Sequence, residues 1–182
     1  MFVHLHVHSH YSLLAGASSP AALCERAREL GYAAMALTDT NGLYGLLDFL
    51  AAARESGIRP IAGVQLTASL PPNTGEPYAL VFPRDAQGFG ELCRLISDRH
   101  LKEGFDLGRA LAGTSTSLLI ATPDLELARR IARGRRGRGV CVELVDLSRH
   151  GNPGRLAAAC ADAARAGLPT VAANRVYFAR PE

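Results

Sequence analysis

An α/β fold, either a parallel sheet or a closed barrel, is what the sequence predicts. Seven short apolar runs alternate with stretches that carry helix start and stop signals. Polar residues able to bind metals or move protons gather at the carboxyl ends of those runs, where α/β barrels keep their chemistry. No GxGxxG or GxxxxGK[ST] phosphate loop follows any of them, so the ordinary nucleotide-binding sheets lose support.

Phe2–Val7 alternates and reads as the first strand. Ser19 offers an N-cap with Pro20 at the first helical position, and the helix runs to Leu30 with Gly31 just past its end. Ala33–Leu37 is a short buried strand, Leu43–Ser56 a helix stopped by Gly57, and Pro60–Leu66 a third strand. Pro71, Pro72, Asn73, Thr74 and Gly75 make a surface turn. Tyr78–Phe82 is the fourth strand, followed by a helix from about Asp85 to Leu101. Leu118–Ala121 and Val140–Leu144 are strands five and six, with a helix over Asp124–Arg133 between them. Asn152 and Pro153 open a helix through Ala166, closed by Gly167 and Pro169, and Thr170–Ala173 is the seventh strand. The strand ends then present His6 and His8, Thr38–Asp39–Thr40, Gln65, Thr122–Asp124, the region of Asp146, and Asn174–Arg175.

The 182 residues are 48% hydrophobic and 20% charged, enough to bury a core and too apolar for a disordered chain. No apolar run approaches the roughly 20 residues of a membrane helix, and the amino terminus lacks a charged-then-apolar leader. Cysteines at 24, 93, 141 and 160 are too dispersed for a metal knuckle and too few for a disulfide scaffold. A reduced, cytoplasmic protein without membrane contact is therefore expected. The net charge of +3 is too slight to mark a dedicated nucleic-acid binder. Locally, however, Arg129, Arg130, Arg133, Arg135, Arg136 and Arg138 fall within ten residues. They read either as a solvated helix end or as a contact for a phosphate backbone.

The strongest local pattern is His4-Leu5-His6-Val7-His8-Ser9-His10, which holds four of the six histidines. Alternate strand residues share a face about 6.6 Å apart, so a neighbouring pair can meet at one metal while all four cannot.

His6-Val7-His8-Ser9, Ala36-Leu37-Thr38-Asp39 and Gly57-Ile58-Arg59-Pro60-Ile61-Ala62-Gly63 resemble the first motifs of the PHP (polymerase and histidinol phosphatase) superfamily. With Tyr11-Ser12-Leu13-Leu14, Gly42-Leu43-Tyr44-Gly45 and Leu168-Pro169-Thr170-Val171-Ala172-Ala173-Asn174, the chain is most similar to PHP domains of bacterial C-family DNA polymerases. The resemblance implies a distorted seven-stranded β/α barrel, one PHP domain over residues 1–182 that is truncated at its carboxyl end. It also implies descent from metal-dependent phosphoesterases that bind up to three ions. Position by position, His6 and His8 match the family's ligands. The usual carboxylate before Gly16 is Ala15, and the histidine after Thr38-Asp39 is Thr40. The third-motif glutamate is Gln65, and the fourth-strand histidine is Ala79. A cysteine or histidine corresponds to Asp124, and the terminal Asn-Asp-x-His has become Asn174-Arg175-Val176-Tyr177.

Every departure weakens metal binding, because alanine and tyrosine are poor ligands, Gln65 is neutral and Arg175 is a fixed cation. No cofactor is required on this reading, and a single Zn or Mn ion would be held weakly by His6 and His8. No catalytic residue is assigned. Asp39, Gln65, Asp124, Asn174 and Arg175 are expected around one cleft with the two histidines. Asp39 reads as a turn or cap residue, and Arg175 is expected to reach a cleft carboxylate in place of the lost ion. Tyr11 and Tyr177 read as packing residues, and His100 and His150 as surface histidines. Three functions follow. One is a degenerate polymerase PHP domain with a structural or docking role in replication or translesion synthesis, set against a polymerase core, with a proofreading subunit as a second partner. The second is a metal-dependent phosphoesterase or 3′–5′ exonuclease with an unorthodox ligand set. The third is a DNA- or partner-binding module using the Arg129–Arg138 cluster.

Overall fold

The computed structural model describes residues 2–69, 75–145 and 153–180. The turn expected over 71–74, the Asp146 region, His150 and Asn152 lie outside the described residues. Among the described residues, nine strands and six helices follow in order: β1 (His6–Val7), α1 (Pro20–Glu29), β2 (Ala34–Leu37), α2 (Leu46–Ser56), β3 (Arg59–Ala62), β4 (Val64–Thr67), β5 (Tyr78–Pro83), α3 (Ala86–Leu101), α4 (Leu107–Ala112), β6 (Leu118–Thr122), α5 (Leu125–Gly134), β7 (Val140–Val145), α6 (Pro153–Arg165), β8 (Thr170–Ala173) and β9 (Arg175–Val176). The chain divides into two compact units, residues 1–64 with 174–182, and residues 65–173.

In the first unit β1 pairs in parallel with β9, and β2 with β3. A bridge between His4 and Met35 joins the two pairs, helped by the bonds Ala36 N–H to His4 C=O and Thr38 N–H to Val7 C=O, both 2.8 Å. The Thr38 hydroxyl also accepts from Val7 N–H at 2.9 Å and donates to Val7 C=O at 3.1 Å. Helices α1 and α2 cover this layer with Leu23, Cys24, Ala27, Phe49, Ala52 and Ala53, against Val7, Met35 and Leu37 of the strands. Ser19 caps α1 through Ala22 N–H at 3.2 Å, as its sequence predicts. Helix α2 starts at Leu46, later than expected, because residues 42–45 form a turn ending at Gly45.

The second unit is one sheet in the order β4-β5-β6-β7-β8. Leu66, Leu80, Val81, Ile120, Val140 and Val142 of its strands are buried, as are Leu92, Leu111, Leu127 and Ile131 of the helices. Asp85, Asp106 and Asp124 cap α3, α4 and α5 with their carboxylates.

Two corrections to the expected architecture have physical reasons. The described strands form sheets of two, two and five rather than one seven-stranded sheet, because the expected strand Pro60–Leu66 breaks at Gly63 into β3 and β4. The crossing from β5 to β6 is antiparallel instead of parallel. A single helix returns the chain for a parallel strand, whereas here the segment holding α4 adds a second traverse after α3. The short β9, also absent from the expectation, continues the chain beside β1. All four cysteines are free thiols, and burial raises Cys24 and Cys141 to about 11. No helix among the described residues is long and apolar enough to cross a membrane.

Candidate functional site

The carboxyl ends of β1 and β2 bring His6, His8, Ser9, Ser12, Thr38 and Asp39 together, all of them buried. His6 and His8 lie two residues apart and project to one side, their Nε2 atoms 3.0 Å from each other. The Asp39 carboxylate is 2% exposed and accepts three hydrogen bonds. Ser9 N–H and Ser12 Oγ–H reach Oδ1 at 2.7 Å each, and Ser9 Oγ–H reaches Oδ2 at 2.8 Å. A buried carboxylate without such donors would be costly, so these bonds replace its lost hydration.

Donor counting fixes the proton order of the network. Ser12 Oγ also receives Thr40 N–H at 3.0 Å and lies 3.0 Å from His8 Nδ1. Its one proton goes to Asp39 Oδ1, so His8 Nδ1 is the donor to Ser12. A hydrogen-bonded Nδ1–H is also the usual preparation of a histidine that binds a metal through Nε2.

The Tyr177 ring stacks on His8 with centroids 5.2 Å apart and planes 11° apart. Loop 9–16 folds closely over the same region. A Cβ at Gly16 would stand 1.9 Å from the Ser9 carbonyl oxygen, while the loop's Leu13 and Leu14 are fully exposed, Leu14 at φ 61°. A Cβ at Gly45 would meet Tyr11 at 2.7 Å and Asp39 Oδ2 at 2.9 Å, so α2 approaches the network only because it begins on a glycine. Tyr11 O–H donates to Asp48 Oδ2 at 2.7 Å and ties the loop to that helix.

The PHP domain family model matches residues 4–126, which contain this whole cluster except Tyr177. The chain belongs to the PHP domain family. It is 32% identical over 208 aligned positions to the error-prone DNA polymerase of Mycobacterium tuberculosis, covering 99% of this chain and 19% of the relative. It is 42% identical over 106 positions to that of Anaeromyxobacter sp., covering 57% and 9%. The chain thus spans about a fifth or less of the length of these relatives. Among solved structures it resembles a protein assigned provisionally as a metal-dependent phosphoesterase from Bifidobacterium adolescentis (TM-score 0.64, 15% identity, 99% of this chain and 89% of that one). It also resembles an amidohydrolase from Chromobacterium violaceum solved with sulfate and no metal (TM-score 0.62, 16% identity, 97% and 87%). At these identities the likeness is one of fold.

PHP phosphoesterases imply a metal centre, and the residues here fit it only in part. The 3.0 Å between the two Nε2 atoms suits two imidazoles sharing one ion at about 2.0–2.1 Å. Asp39 is turned away from that role by its three donors. Among the described residues no group of three or more His, Cys, Asp or Glu is gathered to hold a metal. The multi-ion set implied by the family does not fit, and a two-nitrogen site does.

The other sequence-predicted residues take different places. Arg175 pairs in register with His6, and the three donors to Asp39 come from Ser9 and Ser12. Asn174 is exposed and hydrogen-bonds none of the cluster. His4 packs between Phe2 and Tyr32, and His10 is exposed beside Tyr11, so the four imidazoles do not gather. Gln65 and Asp124 belong to the second unit, where Asp124 accepts Leu127 N–H at 2.8 Å as the cap of α5. His100 is exposed. Ser9 and Ser12 were visible in the sequence only as motif neighbours of His8. Their three-residue spacing is a turn signal, confirmed by Ser12 N–H bonding Ser9 C=O at 2.9 Å.

Of the arginines, Arg129 pairs with Glu126 and Arg130 with Asp106, each at 2.6 Å on the surface. Arg135 is buried, its guanidinium donating to Leu118 C=O at 2.5 Å, Arg138 C=O at 3.0 Å and the Thr114 hydroxyl. Burial pulls its pKa below the usual arginine range, partly opposed by Glu91. Arg133, Arg136 and Arg138 are exposed.

Proposed function

We propose that this chain is a degenerate PHP domain of a bacterial error-prone or replicative DNA polymerase α subunit, with a structural or docking role instead of phosphoester hydrolysis. The observation that carries this reading is the buried Asp39 carboxylate, linked to His8 through Ser12, both of whose oxygens are taken by donors from Ser9 and Ser12. Ala15, Thr40, Gln65, Ala79 and Tyr177 support it, because each stands where the family resemblance implies a stronger ligand. The relatives' name supports the polymerase setting and favours the error-prone branch. A polymerase core is then the natural partner, with a proofreading subunit as a second. The same reading takes residues 1–182 as a single PHP domain and its strands as parts of the family's distorted seven-stranded barrel. Any ion is a single Zn or Mn at His6 and His8, where it would polarise a bound phosphate oxygen but lacks the further ligands of a hydrolytic centre.

Elemental analysis together with hydrolysis of a generic phosphodiester tests the proposal, with His8→Ala as control. The expected result is less than one tightly held ion per chain and turnover at background in both proteins. Metal-dependent hydrolysis that His8→Ala abolishes overturns it in favour of a phosphoesterase or exonuclease.

A further inference from the structure

Helix α5 closes with a Schellman turn. Gly137 N–H bonds Ala132 C=O at 2.8 Å, and Arg136 N–H bonds Arg133 C=O at 3.4 Å. Arg136 therefore occupies the left-handed position, at φ 53°, where glycine is the favoured residue and any side chain meets steric resistance. The buried Arg135 beside it pins the turn through Leu118 and Arg138.

The two sides of α5 carry opposite charge balances. One side opens on a depression where Arg130 and Arg133 lie among Asp106, Asp124 and Glu126, so Arg133 borders both depressions. The other opens on a smaller depression that Arg129, Arg133 and Arg136 line over a floor of Ala132, Gly137 and Gly167, and no carboxylate lines it. Arg129 is answered by Glu126, but Arg133, Arg136 and the adjacent Arg138 pair with no carboxylate among the described residues. Helix ends do not cancel them. The carboxyl ends of α5 and α6 offer about half a negative charge each against three guanidinium groups.

We propose that this arginine-lined depression at the carboxyl end of α5 binds the phosphodiester backbone of a nucleic-acid strand. Planar guanidinium groups suit phosphate oxygens in bidentate geometry, and the glycine and alanine floor lets a phosphate approach closely. No aromatic side chain lines the depression, so it grips the backbone without stacking bases and without reading sequence. The choice of nucleic acid among polyanions rests on the reading of the chain as a polymerase domain.

Fluorescence anisotropy of the 182-residue chain with a labelled single-stranded oligonucleotide, repeated across a salt series, provides the test. The double variant Arg133→Gln/Arg136→Gln is expected to weaken binding and to flatten the slope of log K against log salt by about 1.4, from two lost phosphate contacts. Arg54→Gln/Arg94→Gln removes the same charge from exposed positions on α2 and α3 and should leave the slope unchanged. Equal losses in both doubles, or none in the first, overturn the proposal. Arg136→Gly separates binding from packing, because it relieves the left-handed backbone. Its melting temperature should rise while affinity for the oligonucleotide falls, and a rise with unaltered affinity counts against the site. Metal content and hydrolysis do not enter these measurements. A chain that hydrolyses phosphodiesters yet binds DNA through Arg133 and Arg136 loses only the earlier reading.

Discussion

Asp39 in the first unit and Arg135 in the second are both buried, and the hydrogen bonds described for each come from neutral groups. Asp39 rests on one backbone N–H and two serine hydroxyls. Arg135 rests on two backbone carbonyls and a threonine hydroxyl. The anion sits at strand ends inside a cluster of histidines and organises their protons. The cation sits past a helix end and organises a turn whose neighbouring arginines face solvent. In each place neutral dipoles of fixed position replace a counter-ion, so the charge's importance lies in what it arranges around itself. A metal-family motif and a basic run thus turn out to contain the same device with opposite sign.

The comparison breaks most visibly at Asp39. Asp39→Ala strands Ser9 N–H and disorders Ser9 and Ser12, and should cost about 4 kcal/mol in urea unfolding, with Asp39→Asn costing about half as much. A loss below about 1 kcal/mol for the alanine variant would show that water or a neighbour takes over those donors. Arg135→Met should cost about 2 kcal/mol, since it leaves the Leu118 carbonyl unsatisfied but removes a buried charge at the same time. Arg135→Lys should recover only part of that, because one ammonium cannot span the same three acceptors. An Arg135→Lys variant as stable as the parent would mean that charge, and not the planar fork, holds the turn.

His4 sharpens the contrast with the smallest effect, as a half-buried titratable group whose charged form burial disfavours. Burial lowers its pKa from 6.5, and its Nδ1 finds no hydrogen-bond partner among the described residues. The unfolded chain therefore binds a proton that the folded one refuses, so stability falls as pH drops through about 6.5 toward the folded value. His4→Phe should reduce the change in melting temperature between about pH 7.5 and pH 5.5. An unchanged pH dependence would assign that slope to the other histidines.

Much of the fold was legible because local chemistry decided it. Ser19-Pro20 placed the start of α1, and Asp85 and Asp124 stand where α3 and α5 begin. Strand direction was not legible, since an apolar run such as Leu118–Thr122 reads the same in either sense. The six residues of α4 carry too short a period to stand out, and with them went the reason for the antiparallel crossing. Gly63 fell inside the expected strand Pro60–Leu66, whereas pairing with different partners divides that strand into β3 and β4. In the site, the i and i+2 spacing of His6 and His8 foretold their meeting. The attachment of Asp39 to Ser9 and Ser12 was not foretold, because it joins residues about thirty positions apart and depends on how β1 and β2 align.

The closeness of Gly16 to the Ser9 carbonyl divides the history open to loop 9–16. Its two ends meet backbone against backbone, a junction that drifting sequences cannot alter gradually, since any added carbon at Gly16 meets an oxygen 1.9 Å away. Its tip, Leu13 and Leu14, touches almost nothing and can be rewritten without disturbing the residues beneath. Descendants of this chain inherit the frame whole and are free to vary the tip, so new surface specificity can evolve one step from the histidine pair while the pair itself stays in place.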